Sequence, residues 1–147
     1  MGRIVVGVDG SEASRAALAW ALGEARLRSA DLEVVCAYDR PASLVGIGEA
    51  MGATVAPPIS ESDVAAYATG VLESALAGLD ANGTAVDLRA VQGDAARVLE
   101  QSSQGAELLV VGVSHSELSG RLVGSVGTHC AHHAACPVVL VRAAPEG

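Results

Sequence analysis

The segment that decides the fold is RIVVGVDGS, residues 3–11. Its residues 3–8 form a short, almost wholly apolar run rich in β-branched side chains, which is the pattern of a strand buried on both faces of a parallel sheet. The run stops at Asp9 and Gly10, and Ser11 is a favourable N-cap for a following helix. This segment therefore predicts a strand that leads directly into a helix.

The rest of the chain repeats this alternation of strand and helix. Further strands are predicted over residues 32–38, 86–91, 108–112 and 138–142, and further helices are predicted to begin at Ser60, after Gly93-Asp94 and near Ser125. Asn82-Gly83 is predicted to end the helix that begins at Ser60. The pattern indicates one α/β domain over residues 1–147, a three-layer sandwich with a mainly parallel sheet and a variable loop over residues 41–60.

Composition narrows the classes of function. The 147 residues include nine basic ones, all arginine, and seventeen acidic ones, for a formal net charge of −8. The lack of lysine excludes a Walker A lysine, a Schiff-base lysine and a pyridoxal phosphate anchor. The negative charge opposes binding to nucleic acid or to an anionic membrane, and we expect neither as a partner. Three cysteines, no signal peptide pattern and no apolar run of membrane length lead us to expect a cytoplasmic protein.

The loop after the fourth predicted strand carries the strongest signal for a ligand. Ligands of open parallel sheets bind beyond the carboxyl ends of the strands, where the strand order reverses. The backbone can approach a ligand closely at Gly124, and the amides of Ser125 and Val126 begin a helix, which suits a phosphate. Arg121 is the nearby cation. The alternative interpretation is that Gly124 and Ser125 simply cap the helix.

A family resemblance appears in the opening segment and in two later ones, LSGRLVGSV at residues 118–126 and CPVVLVR at residues 136–142. The chain resembles the universal stress protein family over nearly its full length, except for the loop after Pro41. The resemblance implies five parallel strands in the order 3-2-1-4-5. It also implies a role in the stress response and, in one branch of the family, a bound ATP or AMP.

The nucleotide-binding branch has a pattern of Gly, two residues, Gly, nine residues and then Gly-Ser or Gly-Thr. By this resemblance Gly112 matches the first glycine, and Gly124 with Ser125 matches the last pair. His115 stands where the second glycine is expected, and eight residues separate it from Gly124. A histidine there either faces the phosphates as a hydrogen-bond donor or blocks the crevice. The second possibility leads to the alternative function, a nucleotide-free dimeric interaction module of the same fold.

The resemblance also implies which residues hold the nucleoside. Asp9 matches an aspartate at the end of the first strand, whose carboxylate accepts hydrogen bonds from sugar hydroxyls. The alternative is that Asp9 only forms a turn with Gly10. Ala37, near the end of the second strand, falls where the family packs adenine on a small side chain, and Mg²⁺ is expected to accompany ATP.

Catalysis has weaker support than binding. No residue is predicted as a general base, so no catalytic residue is named and any hydrolysis is expected to be slow. A weaker alternative is an enzyme of the broader adenine-nucleotide hydrolase architecture. Fold alone does not select between these functions.

Histidine and cysteine residues crowd together near the last helix. The cluster consists of His129, Cys130, His132, His133 and Cys136. His129 and His133 are spaced i, i+4 on one helical face, as metal ligands can be. A zinc site needs four converging ligands, which one short helix and a Cys-Pro corner do not supply, so no metal site is predicted.

The last predicted strand, Val138–Arg142, is apolar up to Val141. In the implied strand order it lies at the edge of the sheet, and an exposed apolar edge invites pairing with another chain. We therefore predict a homodimer formed partly by antiparallel contact between two copies of this strand.

Overall fold

A computed structural model describes residues 2–39, 61–114 and 125–143. In this part of the chain, strands and helices alternate from the first strand to the last, as predicted. The strands are β1 (Arg3–Gly7), β2 (Asp31–Tyr38), β3 (Val86–Gln92), β4 (Leu108–Val113) and β5 (Val138–Arg142). The helices are α1 (Glu12–Arg28), α2 (Glu61–Leu76), α3 (Ala95–Ser102) and α4 (Ser125–His133). The predicted loop over residues 41–60 lies outside the described residues.

The five strands form one parallel sheet in the order β3-β2-β1-β4-β5. This confirms the strand order implied by the family resemblance. β1 is central, and its Val5 is aligned with Glu33 of β2 on one side and with Leu109 of β4 on the other. Ile4 and Val5 have no exposed surface, because helices cover both faces of the sheet.

The two faces of the sheet have separate cores. Ile4 and Val6 point to the face covered by α1 and α2, which we call the α1–α2 face. Val5 points to the opposite side, the α3–α4 face, whose core also contains Val98 of α3 and Cys130 of α4. The layers are therefore helix pair, sheet and helix pair, which confirms the predicted three-layer sandwich.

Side-chain caps start two of the helices as predicted. The Ser11 hydroxyl accepts a hydrogen bond from the Ser14 backbone N–H at 3.1 Å. The Asp94 carboxylate accepts one from the Arg97 backbone N–H at 3.3 Å. In the described ranges no helix is long and apolar enough to cross a bilayer.

The predicted end of the second helix is wrong. α2 ends at Leu76 and does not continue to Asn82-Gly83. The cause is Gly78, which has a left-handed φ of 83°, and the Leu79 N–H bonds back to the Leu76 carbonyl at 3.1 Å. A left-handed glycine ends a helix because the next residues no longer follow the helical path. The predicted start, Ser60, lies outside the described residues.

A charged network links the amino ends of β1 and β2 to the turn after α3. Glu33 on β2 is 8% exposed, and Arg3 on β1 donates from Nη1 to its Oε2 at 2.6 Å. Arg3 also donates from Nη2 to the Gln104 carbonyl at 2.8 Å. This network lies at the end of the sheet opposite to the predicted site.

Candidate functional site

The loops after β1 and β4 leave the sheet side by side. The two strands are adjacent and parallel, with Val6 aligned with Val110. From β1 the chain continues to β2 on one side, whereas β4 is followed by β5 on the other. The strand order therefore reverses between β1 and β4, and such a reversal opens a crevice at the carboxyl ends of the strands. We call the space between residues 9–11, residues 112–114 and the start of α4 the carboxyl-edge crevice.

The turn from β1 to α1 is held by its own side chains. The Asp9 carboxylate accepts a hydrogen bond at Oδ1 from the Ser11 backbone N–H at 2.9 Å. The Asp9 backbone N–H donates to the Ser14 hydroxyl at 3.3 Å, and that hydroxyl donates to the Ser11 carbonyl at 2.9 Å. Gly10 has φ 87°, a conformation that few other residues adopt at low cost. Asp9 is therefore a turn former, as one of its two interpretations predicts.

The Asp9 carboxylate is also a fixed negative charge at the crevice. Partial desolvation opposes its ionisation, but hydrogen bonds from Ser11 and Ser14 outweigh this effect and lower the pKa of Asp9 below its usual value. The pKa of the Cys36 thiol near the end of β2 is raised, mainly by burial and in addition by the negative charge of Asp9. Forming the turn leaves Asp9 exposed, so contact with a sugar hydroxyl stays a prediction.

Gly112, predicted as a phosphate-loop glycine, has a packing reason to be glycine. A Cβ at this position would collide with the Ala13 carbonyl and would lie 2.8 Å from the Ser14 backbone nitrogen. The first turn of α1 thus rests directly on the backbone of β4. Gly112 brings the two sides of the crevice together, and its contact with a phosphate stays a prediction.

The start of α4 is the third side of the crevice. The helix begins at Ser125, as predicted, and its first turn contains no acidic residue. Ser125 is exposed, whereas Val126 is half-buried and packs on the core of the α3–α4 face. The N–H groups and the dipole at the start of a helix favour a negative charge, so this arrangement suits an anion.

α4 is held in place by α3 and the turn after it. The buried Ser103 hydroxyl accepts a hydrogen bond from the Ala135 backbone N–H at 2.8 Å. Nε2 of His129 lies 3.0 Å from Oε1 of Glu100. These two contacts hold α4 and the residues after it against α3. The sequence analysis did not predict them, because they join positions far apart in the sequence.

Ala37 lies near the carboxyl end of β2, one strand away from the crevice centre. Its side chain packs against the core of the α3–α4 face, the same face that carries α4. The sequence prediction that Ala37 borders the nucleoside is compatible with this position. The remaining predicted site residues, His115, Arg121 and Gly124, lie outside the described residues.

The histidine and cysteine cluster contributes to packing. The ring centroids of His129 and His133 are 4.6 Å apart. Cys130 has no exposed surface, and burial, with smaller contributions from Glu100 and Cys136, raises the pKa of its thiol to about 11. Among residues 2–39, 61–114 and 125–143, no three His, Cys, Asp or Glu side chains lie close enough together to hold a metal ion.

A groove between α1 and α2 is a feature that the sequence reasoning missed. Its volume is about 350 Å³. The residues that line it are Gly10, Arg15, Tyr67, Gly70, Val71, Ser74 and Ala75. We call it the α1–α2 groove. The signal that could have indicated it is the recurrence of small residues on one side of α2.

Comparison with known proteins identifies relatives along nearly the whole chain. A model of the universal stress protein family matches residues 1–142. Universal stress protein Rv2623 of Mycobacterium tuberculosis is 37% identical over 142 residues, which cover 95% of this chain and 44% of the relative. This chain therefore spans about half the length of the curated relatives it matches.

Solved structures share the fold of this chain. A universal stress protein in complex with cAMP is 25% identical, with a TM-score of 0.61 over 97% of this chain and 98% of that chain. A universal stress protein family protein of Arabidopsis thaliana with AMP bound is 16% identical, with a TM-score of 0.55 over 99% of this chain and 94% of that chain. The second likeness supports the fold alone. From the family match, the sequence identity and the shared fold, we conclude that the chain belongs to the universal stress protein family.

Proposed function

We propose that this chain binds an adenine nucleotide, ATP or AMP, at the carboxyl-edge crevice. The observation that carries this proposal is the start of α4, which has no acidic residue in its first turn and follows the strand next to the order reversal. A solved relative supports the choice of ligand, because the universal stress protein that is 25% identical is a complex with cAMP.

The phosphates are proposed to lie at the start of α4. The backbone N–H groups of Ser125 and Val126 and the Ser125 hydroxyl are the donors, and such donors suit phosphate oxygens. The predicted remainder of the phosphate site is Gly112, His115, Arg121 and Gly124. With one arginine in this set and a chain charge of −8, the phosphates would be held mainly by local dipoles.

The nucleoside is proposed to lie between Asp9 and Ala37. Asp9 is negatively charged, so it suits the sugar hydroxyls and would repel the phosphates. Mg²⁺ is proposed to accompany ATP through its phosphate oxygens. AMP requires no metal for the same contacts.

We propose that this domain is cytoplasmic and that it binds the nucleotide without hydrolysing it at a significant rate. Its free cysteines, Cys36, Cys130 and Cys136, are consistent with a reducing compartment. Nucleotide occupancy would stabilise the crevice and α4, and the domain would report adenylate levels to a stress-response partner. No side chain is assigned as a general base or nucleophile.

Thermal unfolding in the presence of nucleotides tests the ligand. At about one hundred times the dissociation constant, a bound nucleotide stabilises a fold by about 2.7 kcal/mol, which corresponds to a rise in Tm of roughly 5–10 °C. We expect this rise with AMP, ATP or Mg-ATP, and a smaller one with GTP. An unchanged Tm with every adenine nucleotide at millimolar concentration would favour the nucleotide-free interaction module.

We also propose that two copies pair through β5. Among the strands of the described residues, β5 is hydrogen-bonded to β4 alone and forms an edge of the sheet. Leu140 on β5 is 37% exposed, although it is a large apolar side chain. An apolar edge of this kind supports antiparallel pairing with a second copy.

Analytical ultracentrifugation tests the dimer with two matched variants. Leu140→Arg places a charge on β5 and is expected to shift the protein to monomer. Leu27→Arg makes the same change on α1 at a side chain that is 82% exposed, and is expected to leave the dimer intact. A wild-type monomer, or equal behaviour of the two variants, would contradict pairing through β5.

A further inference from the structure

The α1–α2 groove is a cavity that the proposed nucleotide contacts do not use. Its volume of about 350 Å³ falls within the range of pockets that bind small molecules, roughly 300–1,000 Å³. Tyr67, Gly70, Val71 and Ser74 line it from α2 at intervals of three and four residues, so they form one continuous helical face. The groove therefore has one wall built from a regular element, which favours a defined shape.

The groove lies on the α1–α2 face, whereas the proposed nucleotide site lies at the carboxyl edge and extends toward the α3–α4 face. Ala37 and α4 belong to the α3–α4 face, whereas the two helices that line the groove cover the α1–α2 face. The turn residue Gly10 borders the groove and follows Asp9. A ligand in the groove would thus contact side chains that a nucleotide at the start of α4 would not.

Small residues on α2 create the recess. A Cβ added at Gly70 would have no atom within 4 Å, so the space beside it is open. Val71 lies across from Gly10, with its Cγ1 3.8 Å from the position of a Cβ there. Val71 and the buried Ala75 contribute apolar surface to the lining. A flat apolar body fits such a lining better than a strongly hydrated one.

Tyr67 adds an aromatic ring to the wall. Its side chain is 74% exposed, which is unusual for a large aromatic group next to a recess. An aromatic partner can stack on this ring in an offset or edge-to-face arrangement. The Tyr67 and Ser74 hydroxyls supply hydrogen-bonding groups at the same wall.

Arg15 supplies the positive charge. It lines the groove from α1, it is exposed, and within the described residues it makes no ion pair. Several other arginines of the described chain are paired with carboxylates: Arg3, Arg26, Arg28 and Arg89. In a chain with a net charge of −8, an unpaired guanidinium beside an apolar recess is a local attraction for an anion.

We propose that the α1–α2 groove is a second binding site, which takes a small aromatic acid with its ring against Tyr67 and Val71 and its anionic group on Arg15. The site is independent of the proposed adenine nucleotide site. A fold with two such sites can combine two small-molecule signals.

Fluorescence titration with anilinonaphthalene sulfonate tests this site, because the probe is an aromatic acid that brightens in apolar surroundings. We expect saturable binding at one site per chain. Gly70→Leu fills the open space beside α2 and is expected to lower the affinity for the probe by at least about tenfold. Gly23→Leu is the matched control, because Gly23 on α1 also has no atom within 4 Å of an added Cβ and lies outside the groove.

Both variants are expected to fold, because replacing a helical glycine improves helix propensity. Circular dichroism and urea unfolding check this directly. Weak probe binding by Gly70→Leu with a native unfolding curve supports the site. Equal probe affinity in Gly70→Leu and Gly23→Leu, or the absence of saturable binding to the wild type, overturns it.

The charge contact has its own test. Arg15→Gln is expected to lower the affinity for the sulfonate probe by roughly tenfold. Binding of the neutral analogue phenylnaphthylamine should stay unchanged. Arg97→Gln, an exposed arginine on α3, is the control. Equal loss with both probes, or an equal effect of the two substitutions, contradicts an anion contact at Arg15.

AMP separates this site from the nucleotide site. If the two are independent, saturating AMP leaves the probe affinity unchanged. Competitive displacement of the probe by AMP would overturn a second site, because both ligands would then share one pocket. Failure of AMP to bind anywhere would contradict the proposed function. The probe titrations of the variants would still test the groove as a binding site.

Discussion

Two helices begin at the carboxyl edge next to the strand-order reversal, and their first turns are built differently. α1 has Glu12 in its first turn, and its cap uses Ser11 together with the carboxylate of Asp9. α4 begins at Ser125 and has no acidic residue in its first turn. Both helices present the same dipole to the crevice, but within their described first turns and caps the negative charges belong to α1.

The difference teaches which helix is suited to a foreign anion. A helix start favours negative charge, and a carboxylate of the chain can satisfy that preference as well as a phosphate can. At α1 the carboxylates of Asp9 and Glu12 satisfy this preference. At α4 the described side chains leave it unmet, which is why we place the phosphates there and the sugar beside Asp9.

The largest expected effect comes from separating the two sides of the crevice. Gly112→Val places a side chain against the backbone of Ala13 and Ser14, which cannot retreat without moving α1. We expect the free energy of unfolding to fall by about 3 kcal/mol, as measured by urea denaturation. Gly23→Val, in open space on α1, is expected to cause no loss. Equal stabilities of the two variants would mean that α1 does not rest on β4 as described.

The next effect concerns the support of α4. Ser103→Ala removes the hydroxyl that accepts the Ala135 N–H, so we expect a loss of about 2 kcal/mol in the free energy of unfolding. Ser102→Ala, one residue earlier on α3, is the control and should cost much less. Wild-type stability of Ser103→Ala would show that this hydrogen bond does not hold α4 in place.

A smaller effect is expected at the cap of α1. Ser11→Ala removes the oxygen that accepts the Ser14 N–H, and urea denaturation should record a loss of about 1 kcal/mol. Because the cap belongs to α1 and not to the proposed phosphate seat, AMP affinity measured by calorimetry should change little. A loss of AMP affinity as large as that caused by a change at Ser125 would undermine the contrast between the two helix starts.

The smallest effect is a pH dependence at Asp9. Its folded pKa is lowered, so its carboxylate stabilises the fold above the usual pKa of 3.8, and this contribution disappears as the pH falls through the folded value. Asp9→Asn should therefore be less stable than wild type at neutral pH and equal to it in strong acid. Urea midpoints measured across this range test the sign, and a difference that grows with acidification would contradict it.

Local sequence chemistry was sufficient for the strands and for several helix ends. The apolar runs at residues 3–8 and 108–112 contain the central strands β1 and β4. Ser11 caps α1 and Asp94 caps α3, as predicted. The strand order came from the family resemblance, since periodicity alone does not order parallel strands. The end of α2 was misplaced because Gly78 and Gly83 both carry a terminating signal, and only the backbone distinguishes which acts first.

The rest of the site depends on contacts between distant segments. No stretch of sequence reveals that Gly112 lies under Ala13, or that Ser103 accepts from Ala135. The α1–α2 groove exists because two helices cross the same face with small side chains between them. These features become visible only when the helices are placed on the sheet.

The most direct test of the central claim is calorimetric titration of AMP into Ser125→Asp. This change puts a carboxylate at the start of α4, where an anion is expected to stabilise the helix by about 0.3–1 kcal/mol and to repel the phosphate. Ala95→Asp adds the same charge at the start of α3 and is the control. We predict that Ser125→Asp keeps or gains stability and loses AMP binding, while Ala95→Asp binds AMP like wild type. Undiminished AMP affinity in Ser125→Asp would contradict a phosphate seat at α4.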